Sequence, residues 1–384
     1  MKNPTLLRTA ALPILWAVIP LCAQESAVWR DPSPHRVEFV VAEENVRLEV
    51  LDWGGSGRPL VLLAGLGNTA HIFDDLAPKL AVDYHLYAIT RRGYGASSVP
   101  DSGYGADRLG DDVLAVLDAL AINRPVLAGH SIAGEELSSV GMRHPERIAG
   151  LIYLDAAYGY AYDPPSGNKV GIWQTLEDLR KNTEEMQTRA AALDDAGTKL
   201  VLQLLLEKNL PGAQRELETF QKFLNAAPLK LPSPSPPSPA DLASFSALRS
   251  WFTRNQGYTP PEAELRATRE SHPDGGVGAS RTPPRVPQAI IAGSQKYRDL
   301  RAPVLAIYAI PHDRGPWFRD FGSVEMRAAY DSSDASVSEA QAKALEAGVP
   351  NARVVRLARA NHYVFVTHEA DVLREMRAFI AALP

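Results

Sequence analysis

The chain has 384 residues, of which 45% are hydrophobic and 22% charged, and its formal net charge is −5. This composition is typical of a globular protein with one large domain and room for an inserted second one, and it argues against a disordered chain. The charge is negative and the basic residues form no stripe, so a nucleic-acid-binding protein is not expected.

The first 23 residues differ from the rest of the chain. Lys2 and Arg8 precede a short apolar run, "AALPILWAVIPL", which ends in "LCA". This pattern is typical of a secretory signal peptide, and the run is short for a membrane span. We expect cleavage near Ala23, export to the periplasm or the medium, and no stable membrane insertion afterwards. An uncleaved anchor or a lipidated Cys22, the only cysteine, are the alternatives.

From Arg36 onward, β-rich runs alternate with amphipathic helical runs. Two strands are predicted in "RVEFVVAEE" and "VRLEVLDWGG", and a strand buried on both faces in "PLVLLAGLG". Helices in "TAHIFDDLAPKLA", "ADRLGDDVLAVLDALAI" and residues 132–143 then alternate with strands in "YHLYAIT", "RPVLAGH" and "IAGLIYLD". This alternation predicts an α/β fold with a mostly parallel, doubly wound sheet.

The alternation stops near Tyr158 and resumes at "APVLAIYAI". The residues between carry several helical runs and the linker "PLKLPSPSPPSPAD", which indicates an inserted, mainly helical cap; an independent helical domain is the alternative. A helix, a last strand ("ARVVRLAR"), a loop and a closing helix follow. The predicted division is a signal peptide (1–23), a core domain in two parts (24–157 and 301–384) and a cap (158–300).

The stretch "VLAGHSIAGEELSS" places Ser131 between a predicted strand and a predicted helix. A serine on such a turn projects as a nucleophile and needs small neighbours, because the strand and the helix approach closely. Gly129 and Ala133 occupy the two crowded positions, and Gly134 comes one residue later than the usual second glycine. The pattern predicts a nucleophilic Ser131 despite its irregular spelling.

Two backbone N–H groups are expected to bind the negative charge that develops when a serine attacks a carbonyl group. That of Ile132 lies at the start of the predicted helix. The other belongs to Leu66, because Gly65 and Gly67 in "LLAGLGNTAHIF" allow the backbone to turn toward the same oxygen.

A serine nucleophile needs a histidine base. His362 follows the last predicted strand in a loop and is the leading candidate, with His312 and His368 as competitors. His130 precedes the serine and is expected to point away from it, as a packing or hydrogen-bonding residue.

The histidine in turn needs a carboxylate to fix its tautomer. Asp313 follows the penultimate strand and is the leading candidate. Asp155, directly after "LIYL", is the alternative.

From about Val37 to its end the chain resembles enzymes of the α/β-hydrolase fold. The residues that carry the resemblance are "GHSIAG", "LAGLGNTAHIFDDLAPKL", "TRRGYGASS" and "ANHYVFVTHEADVLREMRAFI". They resemble the nucleophile turn, the oxyanion loop, an R-G-x-G-x-S turn, and the histidine loop with its closing helix. The resemblance implies a serine hydrolase that uses the residues listed here: Ser131 as nucleophile, His362 as base, Asp313 as acid, and Leu66 and Ile132 as oxyanion donors.

The sequence departs from that family pattern at two places. Ala64 stands where many members carry histidine, and Thr90 where they carry aspartate. The first departure bears on how the oxyanion loop is held. The cap resembles nothing that assigns a substrate.

Serine at the nucleophile position argues against dehalogenase or epoxide hydrolase chemistry, which proceeds through an ester formed on a carboxylate. We therefore expect hydrolysis of a carboxylic ester of a small or medium-sized molecule through an acyl-enzyme on Ser131. Glu135 and Glu136 raise the alternative of a peptidase or amidase, although acidic residues are also favoured in the first turn of a helix. A non-catalytic small-molecule binding protein on the same fold is a further alternative. We expect no cofactor and no metal, and the sequence does not indicate an oligomeric state.

Overall fold

An eight-stranded sheet forms the centre of the protein in a computed structural model that describes residues 29–164, 234–350 and 352–384, with positions 207, 211 and 218. Contacts divide the chain into two units, Met1–Pro32 and Ser33–Pro384, and every element named below lies in the second. The predicted signal peptide and much of the predicted cap lie outside the described residues.

The sheet has the order β1-β2-β4-β3-β5-β6-β9-β10. β1 and β2 form an antiparallel hairpin, β2 pairs antiparallel with β4, and the other neighbours are parallel. This confirms the predicted α/β fold with a mostly parallel sheet. The strands are β1 (Arg36–Glu43), β2 (Val46–Gly54), β3 (Pro59–Leu63), β4 (His85–Thr90), β5 (Val126–His130), β6 (Gly150–Leu154), β9 (Val304–Ala309) and β10 (Arg353–Leu357), with a separate hairpin of β7 (Arg269–Ser271) and β8 (Val277–Ser280).

Both faces of the sheet are covered, which explains the continuous apolar runs of its central strands. In β3, Leu60 and Leu62 belong to one buried cluster, whereas Val61 and Leu63 belong to the cluster on the opposite face. Helices α2 (Ala106–Ala119) and α3 (Gly134–Arg143) contribute to the second cluster, and the closing helix, α10 (Glu369–Ala381), to the first. Because these strands are parallel, their carboxyl ends meet at one edge of the sheet, which is where ligand sites of such folds lie.

The remaining helices differ in length, from four residues to 25. The segment "TAHIFDDLAPKLA", predicted as one helix, forms a 3-10 turn over Ala70–Phe73 and then a one-turn helix, α1. Pro78 lies in the first turn of α1, where its missing N–H is tolerated, and it would break a continuous helix. The helices are α1 (Ala77–Leu80), α4 (Phe245–Gln256), α5 (Glu262–Thr268), α6 (Arg285–Ala292), α7 (Pro316–Arg319), α8 (Val324–Gly348), α9 (Val364–Thr367) and α10 (Glu369–Ala381).

Residues 234–300, which belong to the chain between β6 and β9, are called the inserted segment. It contains α4, α5, the β7–β8 hairpin and α6. The mainly helical cap predicted from the sequence did not include this hairpin, whose turn is closed by a hydrogen bond from His272 N to Gly276 O at 2.9 Å. Across the described residues, no helix is both long and apolar enough to cross a membrane.

Candidate active site

Ser131 lies at the point where β5 ends and a 3-10 turn, Ser131–Ala133, begins ahead of α3. Its φ angle is 54°, in the left-handed region that residues other than glycine rarely adopt. Such strain persists only where the surrounding structure enforces it, and it is concentrated at functional sites. The sequence-predicted turn is therefore present, with Ser131 at its apex.

The irregular spelling around Ser131 follows from two close approaches. A Cβ atom on Gly129 would lie 3.0 Å from the Cβ atom of Ala133, so the methyl group of Ala133 fits because position 129 has none. A Cβ atom on Gly134 would lie 2.1 Å from the carbonyl oxygen of Ala156, in the chain after β6. The glycine that this turn requires is thus Gly134.

The loop that follows β3 runs beside the serine. A Cβ atom on Gly65 would lie 3.2 Å from the Cβ atom of Ser131, so glycine permits this approach. Leu66 and Ile132, the two predicted oxyanion donors, both pack against the same small apolar cluster, which includes Val286 and Ile290 of α6. The structure thus brings the two predicted donors to one region and places the inserted segment against them.

A buried ion pair fixes the loop after β3. It takes over the part that the sequence comparison gave to a histidine at the position of Ala64. Arg91 donates from Nη2 to the Ala64 carbonyl at 2.8 Å and from Nη1 to the Gly65 carbonyl at 3.4 Å. Its Nε and Nη2 also donate to the two carboxylate oxygens of Glu136, at 2.5 and 2.7 Å. Burial lowers the pKa of Arg91, but the charge of Glu136 more than offsets this and raises it. Through Arg91, Glu136 therefore helps to hold the loop that contains Leu66.

His362 lies in the loop after β10, and its side chain is 39% exposed. Its Nδ1 is 2.6 Å from Oδ2 of Asp155. A carboxylate only accepts hydrogen bonds, so Nδ1 carries the hydrogen and Nε2 of the neutral ring keeps a lone pair. This is the tautomer that a general base for a serine requires.

Asp155 follows β6 directly and is completely buried. Its φ angle of 49° turns the chain sharply at the strand end. Burial on its own would raise the pKa of Asp155, but the charge of His312 and the hydrogen bonds from His312 and His362 lower it below its ordinary value. Asp155 is therefore a carboxylate that remains ionised.

The predicted acid, Asp313, does not contact His362 in the described structure, and this choice is corrected in favour of Asp155. Oδ1 of Asp313 accepts a hydrogen bond from the backbone N–H of Gly315 at 2.9 Å, and Oδ2 lies 4.0 Å from Arg319. The loop after β9 thus ties this carboxylate to its own backbone. Both aspartates follow strands that end at the same sheet edge, so the sequence alone did not decide which of them lies beside His362.

The other predicted histidines take different places. His130 packs its ring 4.6 Å from that of His362, and its Nε2 donates to the His362 carbonyl at 3.1 Å. Burial lowers the pKa of His130 well below its usual value, so the ring is neutral. His312 lies beside Asp155, at 2.7 Å. His368 lies 3.2 Å from Thr367 Oγ1 at the start of α10.

Tyr160 is a site residue that the sequence analysis missed. Burial raises the pKa of Tyr160 well above its usual value, and the side chain of Ser131 is close enough to act in the opposite direction. The tyrosine therefore stays neutral beside the serine. The only sequence signal was the tyrosine-rich stretch "YGYAYD", residues 158–163, which begins four residues after the end of β6.

Two groups of histidine and aspartate side chains in the described residues are close enough to hold a metal ion. One group is Asp155 with His312 and His362. The ring nitrogens that face the carboxylate carry hydrogens, so they have no lone pair to offer a metal ion. In the other, His35 and His71 lie 3.4 and 3.0 Å from the carboxylate of Asp74. Both groups thus contain histidine–carboxylate pairs.

The family profile described as alpha/beta hydrolase fold matches residues 58–369. The chain belongs to the α/β-hydrolase-fold family. Two curated relatives in this family are similar to parts of it. Epoxide hydrolase A of Mycobacterium tuberculosis is 34% identical over 134 residues, which are 34% of this chain and 42% of the relative. Pimeloyl-[acyl-carrier protein] methyl ester esterase of Klebsiella pneumoniae is 35% identical over 145 residues, 36% of this chain and 53% of the relative.

Among solved structures, that of E-2-(acetamidomethylene)succinate hydrolase is similar over 91% of this α/β-hydrolase chain and 100% of its own, with a TM-score of 0.54 and 16% identity. This likeness shows the fold. The match to the two curated relatives spans about half of their length or less. The two relatives are named for different reactions, so the substrate of this chain has to be argued from its own site.

Proposed function

We propose that this protein is a serine hydrolase that cleaves a carboxylic ester of a small or medium-sized molecule. The observation that supports it most is a strained serine at the end of β5 together with a histidine whose Nδ1 hydrogen is held by buried Asp155 at 2.6 Å and whose ring lies 4.6 Å from that of His130, the residue before the serine. The first supplies a nucleophile and the second a base with an available lone pair. Ser131, His362 and Asp155 are the proposed triad.

In the proposed reaction, Ser131 Oγ attacks the ester carbonyl carbon while His362 Nε2 takes the hydroxyl proton. The N–H groups of Leu66 and Ile132 bind the oxyanion of the tetrahedral intermediate. The C–O bond to the alcohol then breaks as His362 returns its proton to the leaving oxygen. Water attacks the acyl-enzyme with His362 again as base, which releases the acid and restores Ser131. Asp155 orients the imidazole and stabilises its charged form.

The two glutamates that raised the peptidase alternative give it little support. Glu136 is engaged by Arg91. Glu135 is 1% exposed, and burial raises its pKa to about 8. At pH 7 its carboxyl group is therefore largely neutral, whereas anchoring a substrate ammonium group calls for an ionised carboxylate.

The decisive experiment compares wild-type protein with Ser131→Ala on p-nitrophenyl esters of increasing acyl length, with exposed Ser250→Ala as control. We expect Ser131→Ala to lower kcat by about 1,000-fold or more while the control retains wild-type turnover. Fluorophosphonate labelling followed by peptide mapping should modify Ser131. Labelling at a different serine, or full turnover by Ser131→Ala, contradicts the proposed triad.

Parallel assays separate the alternatives. Aminoacyl-naphthylamide hydrolysis that exceeds ester hydrolysis supports an amidase, and saturable binding without any turnover supports a binding protein.

We also propose export with cleavage near Ala23, on the strength of the N-terminal sequence pattern. Expression of the full chain in a bacterium, fractionation and N-terminal sequencing test it; a cytoplasmic product that retains Lys2 contradicts it.

A further inference from the structure

The carboxylate of Asp155 is shared by two histidines. Its Oδ2 accepts hydrogen bonds from Nδ1 of His362 at 2.6 Å and from Nε2 of His312 at 2.7 Å. Its Oδ1 accepts from the Tyr158 hydroxyl at 2.7 Å and from the backbone N–H of Ala309 at 3.0 Å. The proposed reaction uses one histidine, so it leaves His312 without a role.

His312 lies between two carboxylates. Its Nδ1 donates to Oδ2 of Asp334, on α8, at 2.9 Å, and its backbone N–H donates to the same oxygen at 2.8 Å. Both ring nitrogens thus face acceptors, and only the doubly protonated ring satisfies both. Burial lowers the pKa of His312, but the charges of Asp155 and Asp334 and their hydrogen bonds raise it to about 10. The side chain is therefore a cation across the neutral pH range.

The charged and titratable groups around this cation come from four places. Asp155 and Tyr158 follow β6, Asp334 belongs to α8, and His362 follows β10 with its ring centroid 6.0 Å from that of His312. Arg314 lies beyond Asp334, at 3.1 Å from its Oδ1. A fixed positive charge therefore lies close to the ring that takes up a proton in the proposed reaction.

We propose that His312 is a positioning residue that fixes the carboxylate of Asp155 and, through its constant positive charge, sets the lower pH limit of the reaction. The proposal rests on the function proposed above. The ring centroids are 6.0 Å apart, and like charges at that separation repel, so the charge of His312 acts against a second positive charge on the ring of His362. The same contact holds Asp155 in one orientation whether or not His362 is charged. The consequence is activity that extends further into acid.

The test measures kcat/KM against pH for the wild type, His312→Gln and Asp334→Asn. Glutamine keeps an N–H donor for Asp155 but carries no charge. The acid limb, which is the part of the profile where kcat/KM falls as the pH is lowered, should therefore shift to higher pH by about 1 to 2 units. Asp334→Asn leaves His312 charged at pH 5 to 6 but removes a neighbouring negative charge, so the limb should move down, by about half a unit. His272→Gln, at an exposed histidine, should leave the profile unchanged.

Shifts of opposite sign distinguish a charge effect from loss of packing, which lowers activity at all pH values alike. A readout independent of turnover is 15N NMR of labelled histidine in the Ser131→Ala background. One ring should remain doubly protonated at pH 9, and its signal should be missing when His312→Gln is added. If His312→Gln does not fold, Asp334→Asn and the NMR titration decide.

The two proposals fail in different ways. No ester turnover by the wild type, or full turnover by Ser131→Ala, overturns the proposed function. Wild-type turnover that depends on Ser131, with an acid limb unmoved in Asp334→Asn and in His312→Gln where it folds, overturns the role of His312 alone. An NMR titration in which every histidine is neutral at pH 8 also overturns it.

Discussion

The carboxylate of Glu264, on α5 of the inserted segment, accepts hydrogen bonds from both the backbone N–H and the hydroxyl of Thr69. The hydroxyl of Thr69 donates to Oε2 of Glu264 at 2.5 Å, and the backbone N–H lies 3.2 Å from both carboxylate oxygens. Asn68 donates to Oε1 of the same carboxylate at 2.9 Å. Both partners directly follow the loop of Leu66, so the inserted segment fixes the backbone of the proposed oxyanion site.

Replacement of Glu264 by alanine should therefore reduce catalysis as well as stability. Removing a buried acceptor from three donors should cost about 2 to 4 kcal/mol of unfolding free energy, because the donors are left unpaired. We expect kcat for an ester to fall about 10- to 100-fold as the loop loses its position. Glu262→Ala is the matched control, since Glu262 lies on the same helix and pairs only with Arg266 among the described ion pairs. Equal kcat for the two variants would show that the loop holds its position without Glu264.

The two candidate acids give a second test. Asp155→Asn should lower kcat by about 1,000- to 10,000-fold, because the amide favours the wrong tautomer of His362. Asp313→Asn should change kcat by less than about threefold, because its carboxylate binds the backbone of Gly315. Steady-state kinetics and circular dichroism of both proteins check this. The reverse order of effects would restore Asp313 as the acid.

Local features of the site were predictable from the sequence, and long-range contacts were not. The turn at Ser131 and the position of His362 follow from strands whose ends meet at one sheet edge, because strand periodicity is visible in the chain. The choice between Asp155 and Asp313 depends on backbone geometry after two strands that look alike in sequence. The contact of Glu264 with Thr69 joins residues 195 positions apart, and no local pattern indicates it.

The displaced glycine of the serine turn gives a third prediction. Gly134→Ala should destabilise the fold by about 3 kcal/mol or more, because its Cβ atom would lie 2.1 Å from the Ala156 carbonyl oxygen, which belongs to rigid backbone. Ala133→Gly, its neighbour, should cost only about 1 kcal/mol, through backbone entropy and a lost methyl contact. Urea unfolding of both variants measures the difference. Similar stabilities would mean that the chain after β6 can move away.

Glu135 gives a prediction in which pH decides the result. Burial raises the pKa of Glu135 to about 8 in the folded protein, while an unfolded chain has the ordinary value near 4.5. The stability contributed by the neutral carboxyl group is therefore complete below about pH 4.5 and is lost as the pH rises toward 8. Glu135→Gln, which is neutral at every pH, should gain about 2 to 4 kcal/mol relative to the wild type between pH 5 and pH 8.5. Glu146→Gln, at a side chain 68% exposed, is the matched control and should show no such change. Urea unfolding at pH 5, 7 and 8.5 measures both variants. If the difference in unfolding free energy between Glu135→Gln and the wild type is the same at all three pH values, Glu135 is ionised throughout this range. That result would restore Glu135 as a candidate anchor for a substrate amine.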